Sequence, residues 1–416
     1  MTAPTKTARL IFAGGGTGGH LYSGVAIADR VTELLQGKRP VEIIFVGTKR
    51  GLEYRLKEKL GYPLRLINVR GLVRSFTLKN LLVPFVLFGA LIKASSLLKN
   101  FGPDIVVGTG GYVAWPVLRM AAWKKITAVI QEQNSFPGIT TRKLAPKVDK
   151  IYLGSEKARE YLKTAAPVTV TGNPVRRSLL GGDRAEAMEK FKLDPSKKTI
   201  LVIGGSQGAR ALNRAILSNL EQEALDEKYQ LLWQTGKRDY KEVIASSGEK
   251  VKHHSLFPFE NNMALVYAAA DLVISRAGAL ALAEFEACRL PSVLVPYPYA
   301  AGDHQRHNAL EFVDRGIAVM LDEKELREVN LLKKATALFE SGEAAAMRQN
   351  IARETENKKP AVDIIAEDII NLTAAMRQNI ARKTENKKPA VDIIAEDIIN
   401  LISERERREG QIDNGS

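Results

Sequence analysis

Leu10-Ile11-Phe12-Ala13-Gly14-Gly15-Gly16-Thr17-Gly18-Gly19-His20 carries an apolar run straight into glycines, and amphipathic spacing follows over Ser23–Leu35. A short apolar run bounded by glycine reads as a buried strand, and the spacing after it as a helix. Glycine lets backbone N–H groups approach an anion closely, and a helix start adds positive dipole. The stretch is therefore expected to grip a phosphate between the first strand and first helix of a doubly wound sheet. No Gly-Lys-Ser/Thr follows, so it is not a P-loop. Nor does a ribose-binding acid stand at the distance that the dinucleotide fingerprint requires.

The arrangement recurs at Leu201-Val202-Ile203-Gly204-Gly205-Ser206-Gln207-Gly208-Ala209-Arg210, where Ser206 can donate its hydroxyl to a phosphate oxygen. Around the first loop, strands are expected at Arg9–Ala13, Val41–Val46, Ile105–Val107, Ala128–Gln131, Lys150–Leu153 and Val168–Thr171. Helical spacing lies between them, as at Gly51–Leu60. Around the second, the expected strands are Thr199–Ile203, Gln230–Gln234, Val251–Leu256, Leu272–Ser275, Ser292–Val295 and Ala318–Leu321. Alternation of strand and helix means parallel sheets covered on both faces. The fold class is α/β: two doubly wound Rossmann-like domains, joined near Gly172-Asn173-Pro174, with a helical C-terminal extension. Ligands of such sheets sit beyond the carboxyl ends of the strands, so the two loops should face each other across a cleft.

Composition fits this reading. A chain of 416 residues exceeds one ordinary core. A net charge of +14 favours an anionic partner. No basic stripe with interleaved aromatics accompanies it, which argues against nucleic acid. The single cysteine, Cys288, excludes an internal disulfide and favours a reducing compartment. Leu10–Ala13 is too short for the apolar part of a secretory signal. The longest apolar stretch, Leu81–Ile92, is interrupted by Pro84 and Gly89 and falls short of the roughly 20 residues that span a bilayer. Leu72–Lys99 nevertheless mixes Phe76, Leu81, Leu82, Phe85, Val86, Phe88 and Leu91 with Arg74, Lys79, Lys93 and Lys99, just after Arg70. Apolar groups flanked by cations suit a helix lying on an anionic membrane surface.

Ala345–Leu372 and Ala374–Leu401 are near-identical copies that differ only at Glu354/Lys383. Two units are too few for a solenoid, so the repeat reads as a recent duplication of one helical segment. Each copy has apolar residues at helical spacing, as in Val362, Ile365, Ile369 and Leu372. Only one copy can fill a given docking groove. The expected division is 7–172, 173–372 and a duplicated, charged tail over 373–416.

Other segments read as parts of a site. Gly108–Val113 is a third glycine-rich turn after a strand, and Gln131–Ser135 places polar side chains directly after another. Ser275–Glu284 is strand, turn and helix: it brings backbone amides and Arg276 toward an anion, and Glu284 suits the two donors of a ribose diol. Tyr297–Gln305 is a polar loop after a buried strand, with Asn308 on the helix beyond.

Together, Gly14–His20, Gly110–Tyr112, Glu132–Asn134, Gly172–Arg176, Gly204–Ala209, Ser275–Ala279 and Asp303–Gln305 occur in the order of a known family. The chain resembles the bacterial peptidoglycan N-acetylglucosaminyltransferases of glycosyltransferase family 28. The resemblance implies a GT-B fold. It implies transfer of N-acetylglucosamine from UDP-GlcNAc to the C4 hydroxyl of the N-acetylmuramoyl unit of lipid I, giving lipid II with inversion. It also implies a peripheral place on the cytoplasmic face of the plasma membrane, and no cofactor or metal. By motif, the donor would meet Arg176 and Ser206 at its diphosphate, and Phe259, Glu260 and Met263 at uracil. The turn Ala279, Leu280, Ala281 and Leu282 would meet the diphosphate and nucleoside, with Arg276 close by, Glu284 the ribose, and His304 and Gln305 the sugar side. The acceptor would meet Thr17, Gly18, Gly19, Tyr112 and Asn134. The family often has threonine where this chain has Ala281, which puts one donor hydrogen bond in doubt, and the duplicated tail lies outside its pattern.

Inversion needs one displacement, a base for the acceptor hydroxyl and stabilisation of the departing diphosphate. No Asp-x-Asp pair is present, so backbone amides, Ser206 and Arg176 are expected to stabilise the leaving group. His20 is the expected base: its ordinary pKa of about 6.5 leaves it largely neutral near pH 7, and it follows the acceptor loop directly. His304 is the rival. Competing readings are a UDP-GlcNAc 2-epimerase, a related transferase acting on another lipid such as diacylglycerol, and a nucleotide-sugar-binding scaffold without turnover.

Overall fold

The computed structural model describes residues 6–69, 83–204, 209–222, 225 and 227–385. Two parallel sheets organise the chain. The first has strands β1 (Ala8–Gly14), β2 (Val41–Gly47), β3 (Leu64–Leu66), β4 (Ile105–Gly110), β5 (Thr127–Glu132), β6 (Lys150–Leu153) and β7 (Val168–Val170), in the order β3-β2-β1-β4-β5-β6-β7. The second has β8 (Lys198–Ile203), β9 (Tyr229–Gln234), β10 (Ser255–Phe257), β11 (Leu272–Ser275), β12 (Ser292–Leu294) and β13 (Ala318–Met320), in the order β10-β9-β8-β11-β12-β13. Strand order reverses beside β1 and beside β8. β1 and β8, the strands that run into the two glycine segments, therefore end at switch points, where such folds hold ligands.

The central strands are buried on both faces, which is why they read as unbroken apolar runs: Leu10 to Ala13 and Ile200 to Val202 are almost wholly inaccessible. Helix Gly18–Leu35 lays Leu21, Ala28, Val31 and Leu35 on the first sheet, and Phe12 stacks on Phe45 with centroids 5.2 Å apart. In the second lobe, buried Trp233 donates its indole N–H to Asn213 Oδ1 at 3.1 Å, fastening helix Arg210–Gln222 to β9. That hydrogen bond satisfies the one polar group of a large core side chain.

Local differences from the sequence reading have physical causes. The first helix begins at Gly18, not Ser23, because Thr17 caps it by accepting from the His20 amide. Only Leu52–Arg55 of Gly51–Leu60 is α-helical; beyond it, Lys57 N donates to Tyr54 O and Lys59 N to Leu56 O, so tighter three-residue turns follow. The apolar spacing was right for burial of Leu60 but not for a continuous helix. Val251 closes a short 3₁₀ turn rather than opening a strand, and His254 N bonds Val251 O before β10 begins at Ser255. The edge strand β3, which pairs in parallel with Phe45–Gly47, has no counterpart among the expected strands.

Contacts join the lobes. Phe136 stacks on His307 at 5.4 Å, Ser135 N donates to Asn308 Oδ1 at 2.9 Å, and Lys157 pairs with Asp314 at 2.7 Å. The first copy of the repeat packs back on the first lobe. Asp363 pairs with Arg30 at 2.5 Å and with Arg177 at 3.0 Å, Asp368 accepts from Lys150 and from Tyr152, and Val362, Ile365 and Ile369 are buried. Residues up to Ile369 form one compact unit, and a second begins at Ile370. One helix, Ala361–Glu385, carries the chain from the first copy into the second, whose remainder and the tail lie outside the described residues.

Candidate functional site

His20 sits at the start of helix Gly18–Leu35, and the glycines of two loops make its seat. Its Nδ1 lies 3.2 Å from Gly15 O and 3.1 Å from Thr17 Oγ1. A carbonyl can only accept, so the Gly15 contact places the proton on Nδ1 and leaves Nε2 as the basic nitrogen. Gly110 and Gly111 lie against the ring at φ +104° and +76°. A Cβ on Gly110 would come 2.7 Å from the imidazole, and one on Gly111 would come 2.6 Å from Gly15 O. Both the left-handed backbone and the lack of space demand glycine there. The third glycine-rich turn is therefore a packing surface for the histidine. Thr109 completes the seat by donating from Oγ1 to His20 O at 2.7 Å.

Burial pushes the His20 pKa below its ordinary value. Glu132, the Gly15 carbonyl and Glu53 oppose that shift, while His304 of the second lobe adds to it. Thus His20, Glu132 and His304 converge from the ends of β1 and β5 and from the loop after β12. Glu132 is buried and accepts from Asn134 N at 3.1 Å, Asn134 Nδ2 at 3.0 Å, Gly138 N at 3.1 Å and Thr141 Oγ1 at 2.5 Å. Asn134 is thereby fixed, and its Oδ1 accepts from Asn308 Nδ2 across the lobes at 3.3 Å. Tyr112 lies beside Gly16, while Gly18 and Gly19 form the first turn of the helix.

On the donor side, Glu284 is buried and accepts from Tyr267 Oη at 2.6 Å. Burial raises its pKa, with Tyr267 and then Arg176 acting against that. Arg176 lies 4.6 Å over the Tyr22 ring, and its Nε is buried with no hydrogen-bond partner among the described residues. Tyr22 was not singled out in the sequence; it lies two residues past His20 on the same helix. Gln305 Oε1 accepts from Tyr297 N at 2.9 Å, and His304 Nδ1 contacts Ala301 O at 2.8 Å. Glu260 is held by the amides of Asn261 and Asn262 and pairs with Lys190 at 2.8 Å, with Phe259 before it and Met263 opening the next helix.

Three expectations meet a different geometry. Arg276 donates to Val295 O and Pro296 O and pairs with Glu323, so its guanidinium is engaged by the protein rather than left facing an anion. The Leu280 and Leu282 side chains are buried in the lobe, so what Ala279–Leu282 offers a ligand is backbone at the start of helix Ala279–Ala287. Gly16 N donates to the buried Glu53 carboxylate at 2.9 Å, so one amide of the first glycine loop is already occupied. Ser206, with Gly205, Gln207 and Gly208, lies outside the described residues.

Two doubly wound sheets with loops meeting around one histidine define the GT-B architecture. Residues 10–153 match the glycosyltransferase family 28 N-terminal domain and 199–367 the family 28 C-terminal domain. The chain belongs to glycosyltransferase family 28. It is 38% identical to a UDP-N-acetylglucosamine–N-acetylmuramyl-(pentapeptide) pyrophosphoryl-undecaprenol N-acetylglucosamine transferase of Desulforamulus reducens, over 84% of this chain and 94% of that one. It is 40% identical to the enzyme of the same name from Chlorobaculum tepidum, over 88% and 99%. Among solved structures it is similar to Acinetobacter baumannii MurG, with a TM-score of 0.67 and 26% identity over 88% and 99% of the two chains. A UDP-GlcNAc 2-epimerase from Neisseria meningitidis shares the fold at a TM-score of 0.57 and 12% identity, over 89% and 100%.

Proposed function

We propose that the chain moves N-acetylglucosamine from UDP-GlcNAc to the C4 hydroxyl of the N-acetylmuramoyl unit of lipid I, forming lipid II with inversion. The substrate pair follows the activity named for relatives that align over nearly their whole length. The 2-epimerase shares the fold at far lower identity, so it is the weaker reading.

One observation carries the chemistry: His20 is seated with Nδ1 against a carbonyl, which leaves Nε2 to take a proton. The acceptor oxygen attacks the anomeric carbon as the bond to UDP breaks, and its proton passes to Nε2. Asn134, held by Glu132 and Asn308, and Tyr112 would orient the acceptor. Thr17, Gly18 and Gly19 would line its approach. The departing diphosphate would be met by Arg176, whose buried Nε has no partner among the described residues, by Ser206 and by amides at the start of helix Ala279–Ala287. Glu284 would take the ribose, Phe259, Glu260 and Met263 the uracil, and His304 and Gln305 the sugar. Arg276 would act through the loop carbonyls it holds. Residues 7–172 would then serve the acceptor and 173–372 the donor, with 373–416 dispensable.

The acceptor is lipid-linked, so we place the enzyme on the cytoplasmic face of the plasma membrane. None of the described helices is long and apolar enough to cross a membrane. Phe88 and Ile92 share one face of helix Val83–Phe101 and are 65% and 57% exposed. Trp123, at the end of the packed neighbouring helix Gly111–Trp123, is 68% exposed, with Lys124 5.6 Å from its ring. Lys93 and Lys99 are exposed nearby in sequence, so apolar and cationic groups mix as an anionic surface requires. Arg70, Arg74, Phe76, Lys79, Leu81 and Leu82 lie outside the described residues.

UDP release that requires both UDP-GlcNAc and a lipid I analogue tests the reading. Production of N-acetylmannosamine without acceptor would overturn it in favour of epimerisation.

A further inference from the structure

Glu53 has no solvent exposure and lies beneath the first glycine loop. Its Oε2 accepts from Gly16 N at 2.9 Å, and its Oε1 accepts from Thr48 N at 2.8 Å and Thr48 Oγ1 at 3.4 Å. Three glycines clear its space. A Cβ on Gly15, Gly47 or Gly51 would fall 2.6, 2.3 or 2.0 Å from Glu53 atoms. Two separate chain segments, the loop after β1 and the turn after β2, thus give up side chains to admit one carboxylate. A buried carboxylate without solvation is costly, so its place reflects what it holds.

We propose that Glu53 is the positioning residue for His20: it ties Gly16, and so fixes the neighbouring Gly15 carbonyl on which the imidazole is hung. This rests on the reading of His20 as the base. It also changes what the loop is for. The Gly16 amide, bound to a buried carboxylate, is withdrawn from any phosphate, and this part of the loop holds a histidine beside negative charge.

The charges and dipoles facing the imidazole come from four places: Glu53 on its short helix, Glu132 at the end of β5, His304 from the second lobe and the Gly15 carbonyl of its own loop. Removing the Glu53 charge while keeping its shape should therefore make the His20 cation less stable.

The test compares wild type with Glu53→Gln and Glu53→Asp. The His20 ring titration is followed by NMR in the full chain, its signal identified by its loss in His20→Gln. In Glu53→Gln the titration should move to lower pH, and kcat should fall about 10- to 100-fold, the scale of a misplaced catalytic group, with UDP-GlcNAc affinity kept. Glu53→Asp keeps the charge but withdraws the oxygens by one methylene. It should lower kcat with a smaller change in titration, and it carries the test if the glutamine variant does not fold. An unmoved titration with kcat near wild type in the folded variants overturns the proposal. So does a kcat loss matched by an equal loss of UDP-GlcNAc binding, because that would be general damage. If His20→Gln remained active while Glu53→Gln still moved the titration, the base reading would fall and the positioning role would stand.

Discussion

The guanidinium of Arg176 lies 4.6 Å over the ring of Tyr22. Arg176 belongs to the segment joining the two sheets, and Tyr22 to the first-lobe helix that begins beside His20. Glu284 of the second lobe lies within electrostatic reach of both. A first-lobe aromatic therefore supports the cation proposed to meet the donor diphosphate.

That contact predicts a split between ring and hydroxyl. A cation–π contact is worth about 0.5–2 kcal/mol, so Tyr22→Ala should raise the KM for UDP-GlcNAc about 2- to 30-fold. Tyr22→Phe keeps the face and should stay near wild type. Steady-state kinetics on both variants decide, and equal losses would assign the effect to the hydroxyl.

His20→Ala should lower kcat about 100- to 10,000-fold, the usual contribution of a general base, with UDP-GlcNAc binding preserved. A loss below about tenfold would remove the assignment. Burial depresses the His20 pKa, and the proposed base acts as the neutral imidazole. The rate should therefore hold as pH falls to the ordinary histidine range and decline only below it. The acid limb of a kcat profile measures this.

His254 should make the second lobe acid-sensitive. Burial lowers its pKa to about 4, and Nδ1 accepts a hydrogen bond from Leu231 N at 3.4 Å, which needs the neutral ring. A depressed folded pKa gives stability that is present above the unfolded value of about 6.5 and is lost as pH falls toward about 4. The loss should reach about 2–3 kcal/mol. Urea denaturation at pH 7.5 and pH 5 should show it, and His254→Asn should flatten the dependence. An equal dependence in the variant would place the acid sensitivity elsewhere.

Replacing Phe88, Ile92 and Trp123 together by serine should abolish flotation with anionic vesicles. Turnover of a soluble lipid I analogue should be unaffected, because these side chains are exposed on the outer helices. Flotation unchanged from wild type would show that another surface meets the membrane.

The two copies of the repeat should behave unequally. Asp363 is buried and paired with Arg30 and Arg177, so Asp363→Asn should cost about 3 kcal/mol of stability, as breaking a buried pair does. Deleting Ala374–Leu401 should leave activity nearly intact. A large loss on that deletion, with Asp363→Asn tolerated, would make the second copy the structural one.

Much was legible before folding because strand and helix periods are local. The apolar runs at Leu10–Ala13 and Leu201–Ile203, each followed by glycine, marked both switch points, and the order of later motifs marked the family. What the chain alone did not show were contacts between segments far apart in sequence. Gly110 and Gly111 read as a loop, yet the ring of His20, ninety residues earlier, fills the Cβ space of Gly110, and the Gly15 carbonyl fills that of Gly111. Arg276 read as an anion ligand, but Glu323 and two carbonyls engage it. Glu53 went unremarked within the helical spacing of Gly51–Leu60, and only folding buried it under the glycine loop. The sequence determined which backbone could bend and which runs must be buried, since those are properties of residues and their neighbours. Tertiary structure decided which amides, cations and carboxylates remained free for a ligand, because that depends on what the rest of the chain brings against them.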